Sequence, residues 1–335
     1  AKATLENKYL GVVTVTKAVS GAELPDDFYI TTSYDPNLRF DLSNAEKDAN
    51  EELIVPYTWK IEDVVCGTPI TFTEHNIQID GYKLTVNSEV VTADTAETAA
   101  NWKESTAKAT LENKYLGVVT VTKSVSGAEL PDDFYITTSY DANLRFDLSN
   151  AQKNEKNEVI KPYTWKIENV VVGTPITFTE HNIQVDGYKL TVGSDVVTAD
   201  EATKAATWSG STASTDFVNK YEELGSVTVT KSVAGASLPN DFYITTDYNS
   251  ELRFDLSNAT GTNPYSWTIE NVVVDTPIIF TEHNIQIDGY KLRVNSEVVT
   301  AATATAAAEW VDGAASASLT NEYLGEVIVT KSVSG

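Results

Sequence analysis

The chain has 335 residues, 41% of them hydrophobic, and a formal net charge of −24. That permits several independent cores of roughly 100 residues each and excludes a nucleic-acid footprint, which needs a basic stripe. No apolar run approaches the roughly 20 residues that cross a bilayer, so neither membrane insertion nor a signal peptide is expected of this segment. One cysteine, Cys66, leaves no intramolecular disulfide framework.

Taken in chain order, Ala1 to Leu10 match a segment that returns at 107–116, and Val-Thr-Lys ends at Lys17, Lys123, Lys231 and Lys331. The period is that of a small domain rather than a solenoid turn. The expected division is 1–10 as the last strand of a preceding repeat, 11–116, 117–224 and 225–324 as three whole repeats, and 325–335 as the first strand of a following one. Without an initiator Met, the chain reads as a mature or excised window on a longer array.

Within one repeat, Gly117 to Val125 alternates as a strand, and Ser126-Gly127 and Leu130-Pro131-Asp132-Asp133 carry turn chemistry. Phe134 to Thr138 and Arg145 to Leu148 read as further strands, rich in aromatic and β-branched residues. The segment from Ala151 to Lys161 shrinks to Ala259 to Asn263 in the third repeat, which marks a surface loop. Tyr163 to Ile167, Ile176 to Glu180, Gly187 to Val192 and Phe217 to Tyr221 complete the strands. The alanine- and threonine-rich stretch before Phe217 has room for a short helix. Short strands with turns every 8–12 residues or so predict an all-β sandwich.

Three positions break the pattern. Lys123 shares the inward parity of Val119 and Val121, Glu180 that of Ile176 and Phe178, and Asn219 that of Phe217 and Tyr221. The same places hold Lys17, Glu74 and Asn113 in the first repeat and Lys231, Glu282 and Asn321 in the third. Such residues are seldom fully buried alone. Burial lowers an amine pKa and raises a carboxyl pKa, so a neutral lysine could attack the asparagine carbonyl while a protonated glutamate polarises it and relays protons to departing ammonia. The product is an amide between two side chains, formed once and without cofactor, with the fold supplying effective molarity.

These motifs resemble the CnaB-like intramolecular isopeptide domains of Gram-positive surface adhesins and pilins. The resemblance rests on a Lys ending Val-Thr-Val-Thr-Lys, a Glu ending Phe-Thr-Glu, and an Asn followed two residues later by Tyr. It implies tandem immunoglobulin-like sandwiches in a linear rod, cross-links Lys17–Asn113, Lys123–Asn219 and Lys231–Asn321, and promotion by Glu74, Glu180 and Glu282. Asn7 and Lys331 would be orphan cross-link partners to neighbouring repeats. The long alanine-rich segment and the His after each Glu depart from the commonest pattern.

A plain Lys–Glu ion pair with a hydrogen-bonding Asn is the bland alternative, and such pairs often add little net stability. Lys83, Lys189 and Lys291 also recur, but on the outward parity. His75, His181 and His283 come one per repeat and make no metal site alone. Cys66 aligns with Val172 and Val274, which predicts a buried apolar role. Asn258-Ala259-Thr260 matches a glycosylation acceptor.

The functional expectation is a structural stalk or fibre shaft of a cell-surface adhesin or pilus-like protein, extracellular and cell-wall anchored or fibrous, not an enzyme, with adjacent repeats as partners. The second reading is an adhesin module whose loops bind a host protein or glycan.

Overall fold

The computed structural model describes residues 6–332, and these are all-β apart from a 3₁₀ turn at Leu42–Asn44. The strands run β1 (Leu10–Ser20), β2 (Tyr29–Thr32), β3 (Arg39–Phe40), β4 (Tyr57–Val65), β5 (Thr71–His75), β6 (Lys83–Val86), β7 (Glu89–Val91), β8 (Thr95–Ala99), β9 (Asn101–Lys103) and β10 (Thr106–Ser126). The series returns as β11 (Tyr135–Thr138), β12 (Arg145–Phe146), β13 (Tyr163–Val171), β14 (Thr177–His181), β15 (Tyr188–Val192), β16 (Asp195–Val196), β17 (Glu201–Ala205), β18 (Thr207–Ser209) and β19 (Thr212–Ala234). It returns again as β20 (Tyr243–Thr246), β21 (Arg253–Asp255), β22 (Tyr265–Val273), β23 (Ile279–His283), β24 (Lys291–Val294), β25 (Glu297–Val298), β26 (Thr303–Ala307), β27 (Glu309–Val311) and β28 (Ala314–Leu324).

Contacts gather the chain into two compact units. One holds residues up to 124, 133–182 and 201–217, the other 125–132, 183–200 and 218 onward. In the first, β1 turns Val13, Val15 and Lys17 inward. It pairs in parallel with β10, Lys17 opposite Leu111 and Val19 opposite Asn113, and antiparallel with β4, Val15 opposite Trp59. A parallel pair needs a long crossover, which the strands between β1 and β10 supply. Facing it lies the antiparallel sheet β3-β2-β5-β8, in which Ile30 stands opposite Glu74. Phe28, Phe40, Trp59, Phe72 and Leu111 fill the space between. At fully buried side chains of this size, each contributes about 1.5–3 kcal/mol of burial.

The second unit repeats this plan. β19 pairs in parallel with β28, Lys231 opposite Leu319 and Val233 opposite Asn321, and antiparallel with β22. The sheet β21-β20-β23-β26 puts Ile244 opposite Glu282.

β10 corrects the expectation of two short strands meeting near Leu116. It is one strand of 21 residues that pairs first with β6, Tyr115 opposite Leu84, and then with β13, Val121 opposite Trp165. Gly117 keeps it unbroken: a Cβ there would run into the Ser211 carbonyl and the Trp208 ring. The alanine-rich stretch forms strands too, β8–β9 and β17–β18: exposed and half-buried positions alternate along β8 and β17, with Ala96, Thr98, Ala202 and Lys204 on the half-buried side, and its β-branched threonines suit a pleated surface. Cys66 is half-buried rather than buried, since it sits in the turn that ends β4, its backbone N–H donating to the Tyr9 carbonyl at 2.8 Å.

Candidate functional site

The alternation that drives β1, β5 and β10 into the core carries their polar residues with it. Lys17, Glu74, Asn113, Lys123, Glu180, Asn219, Lys231, Glu282 and Asn321 are each 0% exposed. In the first repeat, Lys17 and Asn113 come from adjacent parallel strands and are offset by two residues, hence diagonal neighbours on one face, while Glu74 comes from the facing sheet. Lys231, Asn321 and Glu282 repeat this arrangement. Lys123 and Glu180 meet in the first unit; Asn219, opposite Val192, belongs to the second.

Each lysine Nζ donates to a glutamate Oε2, at 2.5 Å for Lys17–Glu74 and Lys123–Glu180 and 2.6 Å for Lys231–Glu282. Burial pushes all three lysines down to about 8, against the opposing pull of the carboxylates. Burial also raises Glu74 and Glu282, against the lysine and, more weakly, the asparagine. Both shifts favour one species, a neutral amine beside a neutral acid, reached by moving a proton within the pair.

The carboxamides are unusual. Asn113 and Asn321 stand near enough to Glu74 and Glu282 to favour their ionised forms, yet neither Nδ2 nor Oδ1 of either makes a hydrogen bond of ordinary geometry. Leaving such groups unmet in a core costs about 1–3 kcal/mol each. The ring centroids of Phe28, Phe134 and Phe242 lie 5.5, 5.5 and 5.7 Å from the Nζ atoms of Lys17, Lys123 and Lys231, and the rings help exclude water. An amine, an acid and an underused carboxamide held together in a dry interior can form an amide and expel ammonia.

Other singled-out residues lie elsewhere. Asn7 and Lys331 are exposed and outside any strand. Lys83 and Lys291 are exposed and Lys189 half-buried; Lys83 Nζ donates to Asn169 Oδ1 at 2.6 Å. His75 stacks on Tyr29 with centroids 4.5 Å apart, the Arg39 guanidinium lies 3.8 Å from the same ring, and the trio recurs at His181 and His283. Asn258 is committed to its own turn: Oδ1 accepts from Asp255 N–H and Trp267 Nε1–H, and Nδ2 donates to the Arg253 carbonyl. No cluster of metal-ligating side chains occurs among the described residues.

In the sequence, Tyr115, Tyr221 and Tyr323 stand out only as inward-facing members of the Asn-x-Tyr motif. Their hydroxyls donate to the carbonyls of Ile77, Ile183 and Ile285 at 2.7–2.8 Å. Their inward parity, two residues beyond each asparagine, is the signal that points to them.

The chain is similar to the pilus adhesin SpaC from Lactobacillus rhamnosus GG in its open conformation, at 11% identity and a TM-score of 0.27, over 96% of this chain and 44% of that one. It therefore spans less than half the length of that adhesin. It is also similar to a Streptococcal ancillary pilin (9% identity, TM-score 0.27, 92% of this chain and 98% of that one). The full-length major pilin SpaD from Corynebacterium diphtheriae is a third (10% identity, TM-score 0.20, 97% and 100%). No curated protein matches the sequence. The profile of the family described as "Domain of unknown function (DUF5979)" matches residues 13–116 and again 119–222, more than half of the chain, and the chain belongs to that family.

Proposed function

We propose that the chain is a structural stalk segment of an extracellular bacterial adhesin or pilus-like fibre, in which each repeat (11–116, 117–224, 225–324) carries a self-formed Lys–Asn amide. Lys17, Lys123 and Lys231 are the nucleophiles, Asn113, Asn219 and Asn321 the electrophiles, and Glu74, Glu180 and Glu282 the proton relays. The observation that carries this reading is the buried Lys–Glu pair at 2.5–2.6 Å beside a carboxamide without ordinary hydrogen bonds. An ion pair alone gives no reason for that asparagine.

The proton on the starting ammonium passes to the glutamate, freeing the amine. Nζ attacks Cγ, the C–Nδ2 bond breaks, and a second lysine proton leaves on the nitrogen as ammonia. The reaction runs once per repeat, so the protein is not an enzyme acting on an outside substrate.

Lys17 lies near the start of its repeat and Asn113 near the end, so the amide carries tension past the core between them. β10 then runs without a break from Asn113 to Lys123, leaving no floppy segment to extend. An extracellular place, in a cell-wall-anchored protein or a fibre, and adjacent repeats as partners belong to this stalk reading. Single-molecule pulling tests it: the 17–113 loop stays closed under load. Release of that loop, roughly 300 Å of chain at about 3.3–3.6 Å per residue, would refute it.

A further inference from the structure

The second repeat departs from the other two at a pair of positions that meet beside its reactive lysine. On β17, Lys204 stands opposite Phe178, where β8 sets Thr98 opposite Phe72 and β26 sets Ala306 opposite Phe280. Two residues before Asn219 comes Phe217, where Leu111 and Leu319 precede the other asparagines. Lys204 Nζ lies 5.8 Å from the centroid of the Phe217 ring, and Lys123 Nζ lies 6.0 Å from the same centroid. Phe217 and Lys123 are fully buried, while Lys204 is half-buried, its Nζ donating to the Asp216 main-chain carbonyl at 2.8 Å. That carbonyl fixes the ammonium without neutralising it, and the buried ring displaces water that would screen the two lysines from each other. Burial pushes Lys123 down to about 8 against the pull of Glu180, and Lys204 pushes in the same direction as burial; no second lysine acts on Lys17 or Lys231. From β13, Tyr163 stands opposite Lys123, with the exposed Lys161 Nζ 5.6 Å from its ring.

We infer, resting on the reading of the trio above, that Lys204 tunes bond formation in the second repeat: its fixed positive charge beside Phe217 disfavours protons on the Lys123–Glu180 pair and moves the reactive pH range downward. The covalent step is unchanged. Lys123 Nζ bonds to Asn219 Cγ, the Cγ–Nδ2 bond breaks, and ammonia leaves with a lysine proton. Lys204 gains and loses no proton and touches no reacting atom, so it is a positioning residue that acts through its charge. The reactive pair holds one proton, and losing it turns a neutral pair into an anion. A nearby cation favours that anion, so the upper limb of the rate profile falls at lower pH with Lys204 than without it. Both Nζ atoms lie within 6.0 Å of one centroid, hence at most about 12 Å apart, and unit charges at that distance displace a titration by about 0.3–1 pH unit at effective dielectric constants of about 20–80.

The test is the pH profile of bond formation, read at each repeat of one full chain. Chain from cell-free synthesis is collected in denaturant before it links, diluted into buffers spanning the lysine titration, then digested, and the ammonia lost from each repeat is followed by mass. In Lys204→Met the upper limb of the second repeat moves up by about 0.3–1 pH unit; Lys204→Arg, which keeps the charge, leaves it in place, and the first and third repeats do not move. A slower rate at every pH with the limb unmoved is the mark of a structural role and overturns the inference, as does an equal shift in Lys204→Arg. Where Lys204→Met fails to fold, the transplant Thr98→Lys with Leu111→Phe decides: the limb of the first repeat comes down by a similar amount, and an unmoved limb overturns the inference. If the unaltered chain loses no ammonia at the second repeat, the reading of the trio itself fails; ammonia loss with an unmoved limb removes only the role of Lys204.

Discussion

Asn113→Ala deletes the electrophile of the first repeat and leaves the Lys17–Glu74 pair, 2.5 Å apart, in place. The amide it prevents would close a loop of about 100 residues, which the chain-entropy model values at roughly 4.7 kcal/mol. At about 4–8 °C per kcal/mol for a domain of this size, the first repeat should lose roughly 20–35 °C of melting temperature. Lys17→Met removes the same loop by the opposite route, without the cavity that alanine leaves, so its loss should be similar. Calorimetry of the full chain, with the other repeats as internal references, reads both. A drop of only a few degrees in both variants would mean that no covalent loop was there to lose.

Glu180→Ala should abolish ammonia loss in the second repeat alone, leaving two losses in the chain instead of three; bond formation at an unchanged rate would remove the relay role. The pH behaviour of the unlinked Asn113→Ala variant follows from the shifted pair. Between about 8, where buried Lys17 titrates, and the unfolded lysine value near 10.4, the unfolded chain holds more protons than the native one, so stability rises with pH. Below that, Glu74 is raised and the native state holds the extra proton, so stability falls as pH increases from the unfolded glutamate value. A minimum between the two limbs is expected by chemical denaturation. The linked wild type lacks the upper limb, because its lysine no longer titrates; an upper limb of equal size in both would contradict the amide. Bond formation needs one proton on the pair, on the acid, so its rate in freshly made chain should fall above pH about 8; a rate that keeps climbing would discount the acid. Gly117→Ala should destabilise the first unit by about 1–3 kcal/mol, since its Cβ meets the Ser211 carbonyl and the Trp208 ring; a neutral effect in urea titration would show that the close approach relaxes freely.

Much of the core is legible in the sequence because a strand's period of two leaves no freedom: Lys17 must face the way Val13 and Val15 face, and Glu74 the way Phe72 faces. What parity cannot supply is the partner. The parallel pairing of β1 with β10, which makes Lys17 and Asn113 diagonal neighbours, spans the whole repeat and depends on register rather than local pattern. Gly117 looks like a strand break until Ser211 and Trp208 are seen against it. Tyr115 reads as one more buried aromatic, since its ring packs like any other and only the direction of its hydroxyl sets it apart. The Tyr29–His75–Arg39 stack escapes for the same reason, its members coming from three strands. Cys66 aligns with valines, yet a turn position decides its exposure more than its neighbours in the alignment do.

The most direct test of the covalent amide is the intact mass of the purified, denatured chain. The account predicts a mass lower than that of the sequence by three molecules of ammonia, one for each of the Lys17, Lys123 and Lys231 repeats. A mass equal to that of the unmodified sequence would contradict it.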